Sequence, residues 1–156
     1  MKAIAAMACN RVIGLHKGIP WHNKEDFKWF KEFTLGKTLV VGRTTAETLP
    51  VLPNRQVLVL TRGSYRQMGY DPIRNYSLCT VSYAEVMEAA SRREVVIAGG
   101  AQIYDLFLPK ITEFYVSHID CEPEGDVYMP NFESELPIKH LVREFDKGKV
   151  FKYTRE

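Results

Sequence analysis

Thr38-Leu39-Val40-Val41-Gly42-Arg43-Thr44-Thr45 reads as a buried strand that runs straight into the start of a helix. The first four residues suit extended backbone. Gly42 breaks the run, and the hydroxyl residues behind it suit a first helical turn. The same grammar recurs at Val95-Val96-Ile97-Ala98, where Gly99-Gly100-Ala101 opens a helix carrying Ile103, Tyr104, Phe107 and Leu108 until Pro109 stops it. A strand that feeds a helix and is followed by another strand is the repeating unit of an α/β fold with a parallel sheet.

Further strands are expected over residues 2–8, a run of small apolar residues, and over 57–60, 78–81 and 114–119. Ser82-Tyr83-Ala84-Glu85 matches a capping box ahead of a helix with Val86, Ala89 and Ala90 on one side. Asp146-Lys147-Gly148-Lys149 separates 138–145 from 150–153 as the turn of a C-terminal hairpin. Residues 11–21 and 49–55 read as loops, and 65–76 as an irregular surface segment. The expectation is an α/β fold in a single domain, 1–156. It has about eight strands in a mostly parallel mixed sheet, a C-terminal antiparallel hairpin and about four flanking helices.

The fourth helix lies in Asn23-Lys24-Glu25-Asp26-Phe27-Lys28-Trp29-Phe30-Lys31, with Asn23 as N-cap and an end near Gly36. On a wheel of about 100° per residue, Trp29, Phe33, Asp26, Phe30 and Phe27 share one arc, and Glu25, Lys28, Lys31 and Glu32 share the other. Asp26 is thus a carboxylate in the middle of an apolar face. An unpaired buried carboxylate is costly and calls for a partner, a raised pKa or a ligand. A first-turn acid can also accept bonds from the helix's own amides. The helix alone leaves both readings open.

The 156 residues suffice for one sizeable core, and 46% hydrophobic with 26% charged residues is ordinary for a globular chain. A net charge of +2 with no polybasic run gives no ground for nucleic-acid binding, and no apolar run reaches membrane-spanning length. The N-terminal apolar run ends at Asn10-Arg11, too early for a signal peptide. Cys9, Cys79 and Cys121 lie far apart, which argues against a disulfide framework and a zinc site and for a reducing, cytoplasmic location. His16, His22, His118 and His140 lack metal-ligand spacing and read as loop or surface residues; no metal is expected.

In an open parallel sheet, ligands bind beyond the carboxyl ends of the strands. Three such ends carry phosphate-friendly residues here: Gly42-Arg43-Thr44-Thr45, Thr61-Arg62 and Gly99-Gly100-Ala101-Gln102. Helix N-terminal amides can hold a pyrophosphate, and a hydroxyl beside a guanidinium suits an extra phosphate monoester. Neither GxGxxG nor GxxxxGK[ST] is present, so the usual dinucleotide fingerprint and a P-loop are disfavoured.

Taken in order, Arg11-Val12-Ile13-Gly14, Pro20-Trp21, Asp26 with Trp29-Phe30-Lys31, Gly42-Arg43-Thr44-Thr45, Leu52-Pro53-Asn54-Arg55, Gly99-Gly100-Ala101-Gln102-Ile103-Tyr104 and His118-Ile119-Asp120 with Glu124-Gly125-Asp126 resemble the dihydrofolate reductases, from residue 4 to about 130. The resemblance implies NADPH-dependent reduction of 7,8-dihydrofolate to tetrahydrofolate. Asp26 and Trp21 would be the catalytic pair, Asp26 bonding the pterin's amidine edge and Ser117 sharing that network. Ile4, Ala6, Phe27, Phe30, Lys31, Leu49, Leu52, Arg55 and Ala98 would line the substrate pocket, with Arg55 on the glutamate carboxylate. Ala6, Ile13, Gly14, Leu15, Ile19, Gly42, Arg43, Thr44, Thr45, Leu60, Thr61, Arg62, Gly99, Gly100, Ala101, Gln102, Ile103 and Tyr104 would hold the cofactor. Residues 14–19 would be the mobile loop over the nicotinamide. The resemblance also implies a monomer, open to antifolate inhibitors.

The chain departs from the family pattern at Ala46, Ala101 and Gln102, where a large aromatic, a third glycine and an arginine are common. A related-fold reductase of a riboflavin-precursor pyrimidine would share NADPH but lack both the Trp21–Asp26 pairing and Leu52-Pro53-x-Arg55.

Overall fold

The computed structural model describes residues 1–63 and 66–156; Ser64 and Tyr65, the latter part of the irregular segment expected over 65–76, lie outside the described residues. In chain order the elements are β1 (Lys2–Ala8), β2 (Val12–Gly14), α1 (Lys24–Thr34), β3 (Thr38–Gly42), α2 (Arg43–Thr48), β4 (Arg55–Leu60), β5 (Met68–Asp71), β6 (Tyr76–Val81), α3 (Tyr83–Arg92), β7 (Val95–Ile97), α4 (Ala101–Phe107), a 3₁₀ turn (Leu108–Lys110), β8 (Glu113–Ile119), β9 (Val127–Tyr128), β10 (Ile138–Phe145) and β11 (Gly148–Thr154).

One nine-stranded sheet has the order β10-β11-β8-β1-β7-β3-β4-β6-β5, and β2 pairs with β9 in a separate two-stranded sheet. The strands from β8 to β6 run parallel; β11, β10 and β5 are antiparallel additions at the two edges. The α/β architecture and the C-terminal hairpin are those expected from the sequence. The main sheet has one strand more than the expected eight: β5 falls within the segment read as irregular. Met68 and Tyr70 of β5 point outward, so the strand has no buried face to mark it. The loop expected over 11–21 likewise contains β2.

Side-chain alternation along the central strands builds two cores, one on each face of the sheet. Ala3, Ala5 and Met7 of β1, with Val40 and Leu58, face α3 and α4 through Val86, Ala89, Tyr104 and Phe107. Ile4, Leu39, Val41, Val57 and Val59 face α1 and α2 through Trp29 and Ala46. His118, expected at the surface, is instead half-buried in β8, where its Nε2 meets the Tyr153 hydroxyl at 2.8 Å.

Candidate active site

Asn23 caps α1 as expected: its Oδ1 accepts the Asp26 amide at 3.0 Å. The cap sets the phase of the helix, which turns Asp26 and Trp29 into the protein. Asp26 is only 7% exposed, and among the described residues it makes no ion pair and accepts no bond from a first-turn amide. The capping alternative for its carboxylate therefore has no geometry behind it. Burial raises its pKa above the ordinary carboxylate value, and the nearby Ser117 hydroxyl offsets this in part. Ser117 Oγ is itself buried and meets no partner in full hydrogen-bonding geometry, so it retains capacity toward a bound group.

The pairing of β1 with β8 sets Ala6 beside Ser117 and Ile4 beside Tyr115. Ile4 and Leu52 are buried in the same cluster as Trp29, with Phe30, Leu49 and Ala98 packed against it. Five of the expected substrate-side residues, from β1, α1, the β3–β4 connection and the end of β7, thus converge on one face of the sheet. Phe27 differs: it is 42% exposed and leans on the His22 ring, with centroids 5.2 Å apart. Lys31 is exposed and Trp21 half-buried.

Arg55 opens β4 and is 5% exposed, rare for an arginine that has no acidic partner among the described residues. Its Nε donates to the Pro53 carbonyl at 2.9 Å and a terminal nitrogen to Thr34 Oγ1 at 3.2 Å; that hydroxyl donates in turn to the Phe30 carbonyl at 2.7 Å. The guanidinium is so fixed from behind by the last turn of α1. Sequence reasoning missed Thr34, because a threonine that closes a helix carries no signal of a partner in a later strand.

The helix N-termini fall into two kinds. The first turns of α1 and α3 are closed by side chains, Asn23 for α1 and the reciprocal Ser82–Glu85 box for α3. Those of α2 and α4 begin at Gly42 and Gly100, with no side-chain cap. These two uncapped ends are neighbours. Gly42 N–H donates to the Gly99 carbonyl at 2.9 Å; a Cβ at Gly42 would stand 3.0 Å from Ile103, and one at Gly100 would stand 3.4 Å from Thr45 Oγ1. Unpaired first-turn amides with aligned dipoles form an anion cradle. Gly99 sits at φ +113°, and a Cβ there would meet the Tyr104 hydroxyl, which donates to the Ile4 carbonyl at 2.7 Å. Tyr104 thereby ties the cradle to β1.

Ile13, Leu60, Ile103 and Tyr104 belong to the core on the opposite face of the sheet from Ile4, Phe30, Leu49 and Leu52. Thr61 is half-buried and Arg62 exposed beyond the end of β4; Gln102 and Thr44 are exposed, and Arg43 pairs with Glu47 at 3.6 Å. The 14–19 segment closes on itself through reciprocal Leu15–Gly18 bonds of 2.8 and 2.9 Å, with His16 and Lys17 at positive φ and Ile19 exposed. It is anchored by Asp126, whose carboxylate accepts the His16 amide at 3.1 Å and whose amide donates to the Gly14 carbonyl at 3.0 Å. Asp126 lay in a recognised sequence motif but was not expected to touch this loop.

The sequence description of the dihydrofolate reductase family matches residues 1–153. The chain is 41% identical over 135 residues to the dihydrofolate reductase of Neisseria gonorrhoeae, covering 83% of this chain and 78% of that one. It is 36% identical over 137 residues to a type 5 dihydrofolate reductase of Escherichia coli, covering 86% and 84%. A dihydrofolate reductase from Enterococcus faecalis complexed with NADP(H) and RAB-propyl superposes with a TM-score of 0.79 at 28% identity, covering 99% of this chain and 95% of that one.

Proposed function

The chain belongs to the dihydrofolate reductase family and is an NADPH-dependent oxidoreductase that reduces dihydrofolate; on that premise we propose which residues do the work. Asp26 is the acid of the pterin pocket, and the observation that carries this assignment is its isolation. It is a buried carboxyl with a raised pKa and no cation, on the wall formed by Ile4, Phe30, Leu49, Leu52 and Ala98. A carboxylate so placed accepts hydrogen bonds from the amidine edge of a pterin and repays its desolvation there. Its negative charge favours protonation at N5. Ser117 completes the polar floor of the pocket, and Trp21 orients the ring. Arg55 presents the outer edge of its fork to the glutamate carboxylate.

The uncapped amides of α2 and α4 hold the pyrophosphate, while Thr61 and Arg62 take the 2′-phosphate. Gly99, Gly100 and Ala101 let backbone approach the cofactor closely. Bound NADPH supplies the hydride that reduces pterin C6. The protein's share is to align the two rings in contact beyond the carboxyl ends of the central strands and to limit water around N5. We further read the whole chain as one domain, acting as a monomer in the cytoplasm and open to antifolates that mimic the pterin edge. Among the described residues no helix is long and apolar enough to cross a membrane.

The direct test is NADPH oxidation with dihydrofolate, with and without a diaminopyrimidine antifolate. Turnover blocked by the antifolate supports the reading. Cofactor and folate binding without turnover would reduce the chain to a binding module.

A further inference from the structure

Cys9 and Cys121 are 112 positions apart in sequence, yet the fold brings them together at the ends of the neighbouring parallel strands β1 and β8. The Cys9 amide donates to the Cys121 carbonyl at 2.9 Å. The Cys9 thiol and the Cys121 amide share one acceptor, the Ile119 carbonyl, at 3.5 and 2.8 Å. A backbone N–H···O=C bond of this length holds the two Cα atoms no more than about 6.2 Å apart. That lies inside the span of roughly 4.4–6.8 Å that a disulfide bridges without moving backbone. The two thiols also sense each other: burial raises the Cys121 pKa, and a charge on Cys9 raises it further. Cys9 is exposed to solvent and Cys121 half-buried; Cys79 lies apart on β6.

Both cysteines stand at the root of the two-stranded sheet. Cys9 leads through Asn10 and Arg11 into β2 and so into the 14–19 segment. Cys121 leads toward β9, the partner of β2. Non-covalent ties already join these roots: Asn10 Nδ2 donates to the Pro123 carbonyl at 2.8 Å, and Arg11 grips the Pro130 carbonyl and Glu133 beyond β9.

We propose that Cys9 and Cys121 form a redox pair that a peroxide closes into a disulfide, fastening the root of the sheet that carries the 14–19 loop. Cys9 reacts first because it is exposed. Its thiolate attacks a peroxide oxygen and breaks the O–O bond, giving a Cys9 sulfenic acid and, for hydrogen peroxide, water once the leaving hydroxide takes a proton. The Cys121 thiol then attacks that sulfur, forming the S–S bond and releasing the sulfenic oxygen with the thiol proton as a second water. The thiols lose two electrons and the peroxide gains them. A dithiol reductant reverses the change by exchange. The inference is independent of the roles given to the substrate and cofactor residues.

The full chain is treated with hydrogen peroxide, free thiols are alkylated, and the digest is mapped by mass spectrometry beside thermal unfolding and amide exchange. A Cys9–Cys121 cross-link, an alkylatable Cys79, a higher unfolding temperature and slower exchange over residues 10–19 are expected, all reversed by dithiothreitol. Cys121→Ser should stop at a dimedone-trapped sulfenic acid on Cys9 and gain no thermal resistance. Wild type that accumulates the same trapped sulfenic acid while Cys121 stays alkylatable would overturn the proposal, as would a cross-link through Cys79. A cross-linked form with unchanged exchange over 10–19 would overturn the fastening.

Discussion

Replacing Arg55 by alanine removes a guanidinium whose rear edge is bonded to the protein and whose front edge is assigned to the substrate. The rear bonds, to the Pro53 carbonyl and Thr34 Oγ1, use two of the five N–H donors of the fork. The change therefore has two separable costs. A buried carbonyl left unpaired costs about 1–3 kcal/mol of stability, seen as a lower unfolding temperature for every ligand state. The lost charge-assisted grip on the glutamate carboxylate costs roughly 1.5–3 kcal/mol of binding. At about 1.36 kcal/mol per decade, KM for dihydrofolate should rise roughly 10- to 150-fold. KM for a reduced pterin without the glutamate tail should stay within about two-fold, since the grip is absent in both proteins. Arg55→Lys should recover part of the charge but not the fork. The assay is steady-state NADPH oxidation with both substrates below the unfolding temperature of each variant. Equal losses on the two substrates would mean that Arg55 only buttresses α1 against β4.

Two further changes probe the cofactor side. Arg62→Ala should weaken NADPH binding by about ten-fold or more and leave NADH nearly unchanged, the mark of a lost phosphate monoester contact; fluorescence titration with both cofactors decides, and equal weakening would place the phosphate elsewhere. Gly125→Ala should disturb the two-stranded sheet, because a Cβ there would stand 2.2 Å from Val12 Cγ1 and 2.9 Å from the Gly14 carbonyl. Overpacking of this kind costs about 1–3 kcal/mol, so a lower melting temperature with reduced turnover is expected, and wild-type values of both would show that β2 can move aside freely.

The sequence revealed what has a local period or a local punctuation mark. The side of α1 that carries Asp26 and Trp29, the Ser82–Glu85 box and the turn at Asp146-Lys147 are all local and lie where expected, whereas Phe27 stands outside the apolar face assigned to it and Gly148 and Lys149 already belong to β11. What stayed hidden depends on distant partners. The three residues of β2 become a strand only because Val127 and Tyr128 lie beside them. The exposed edge strand β5 has no alternation that reaches the core. The burial of Arg55 runs against the usual exposure of arginine and rests on Thr34, twenty-one positions earlier. The uncapped, adjacent ends of α2 and α4 were legible as separate glycine-led starts. That they face each other is a consequence of β3 lying beside β7 in the sheet. For Asp26, residue pattern posed the question, and the structure leaves the carboxylate without the first-turn bonds a capping acid would accept.

Asp26→Asn offers the most direct test of the central claim. The raised pKa means the folded chain holds this proton more tightly than the unfolded chain. Asp26 therefore costs no stability below the ordinary carboxylate range and becomes destabilising as pH rises through its folded value. Asparagine escapes that cost, so at neutral pH the variant should unfold at an equal or higher temperature than wild type, with the difference shrinking as pH falls. Its hydride transfer, followed by stopped flow, should be slower by ~10²–10⁴-fold at pH 7 and should recover as pH falls and solvent acid protonates N5. Wild type should lose rate as pH rises through neutrality, reporting proton uptake by the complex as a whole. A variant with the wild-type rate at pH 7 and a lowered melting temperature would contradict the account and return Asp26 to the role of a helix-capping acid.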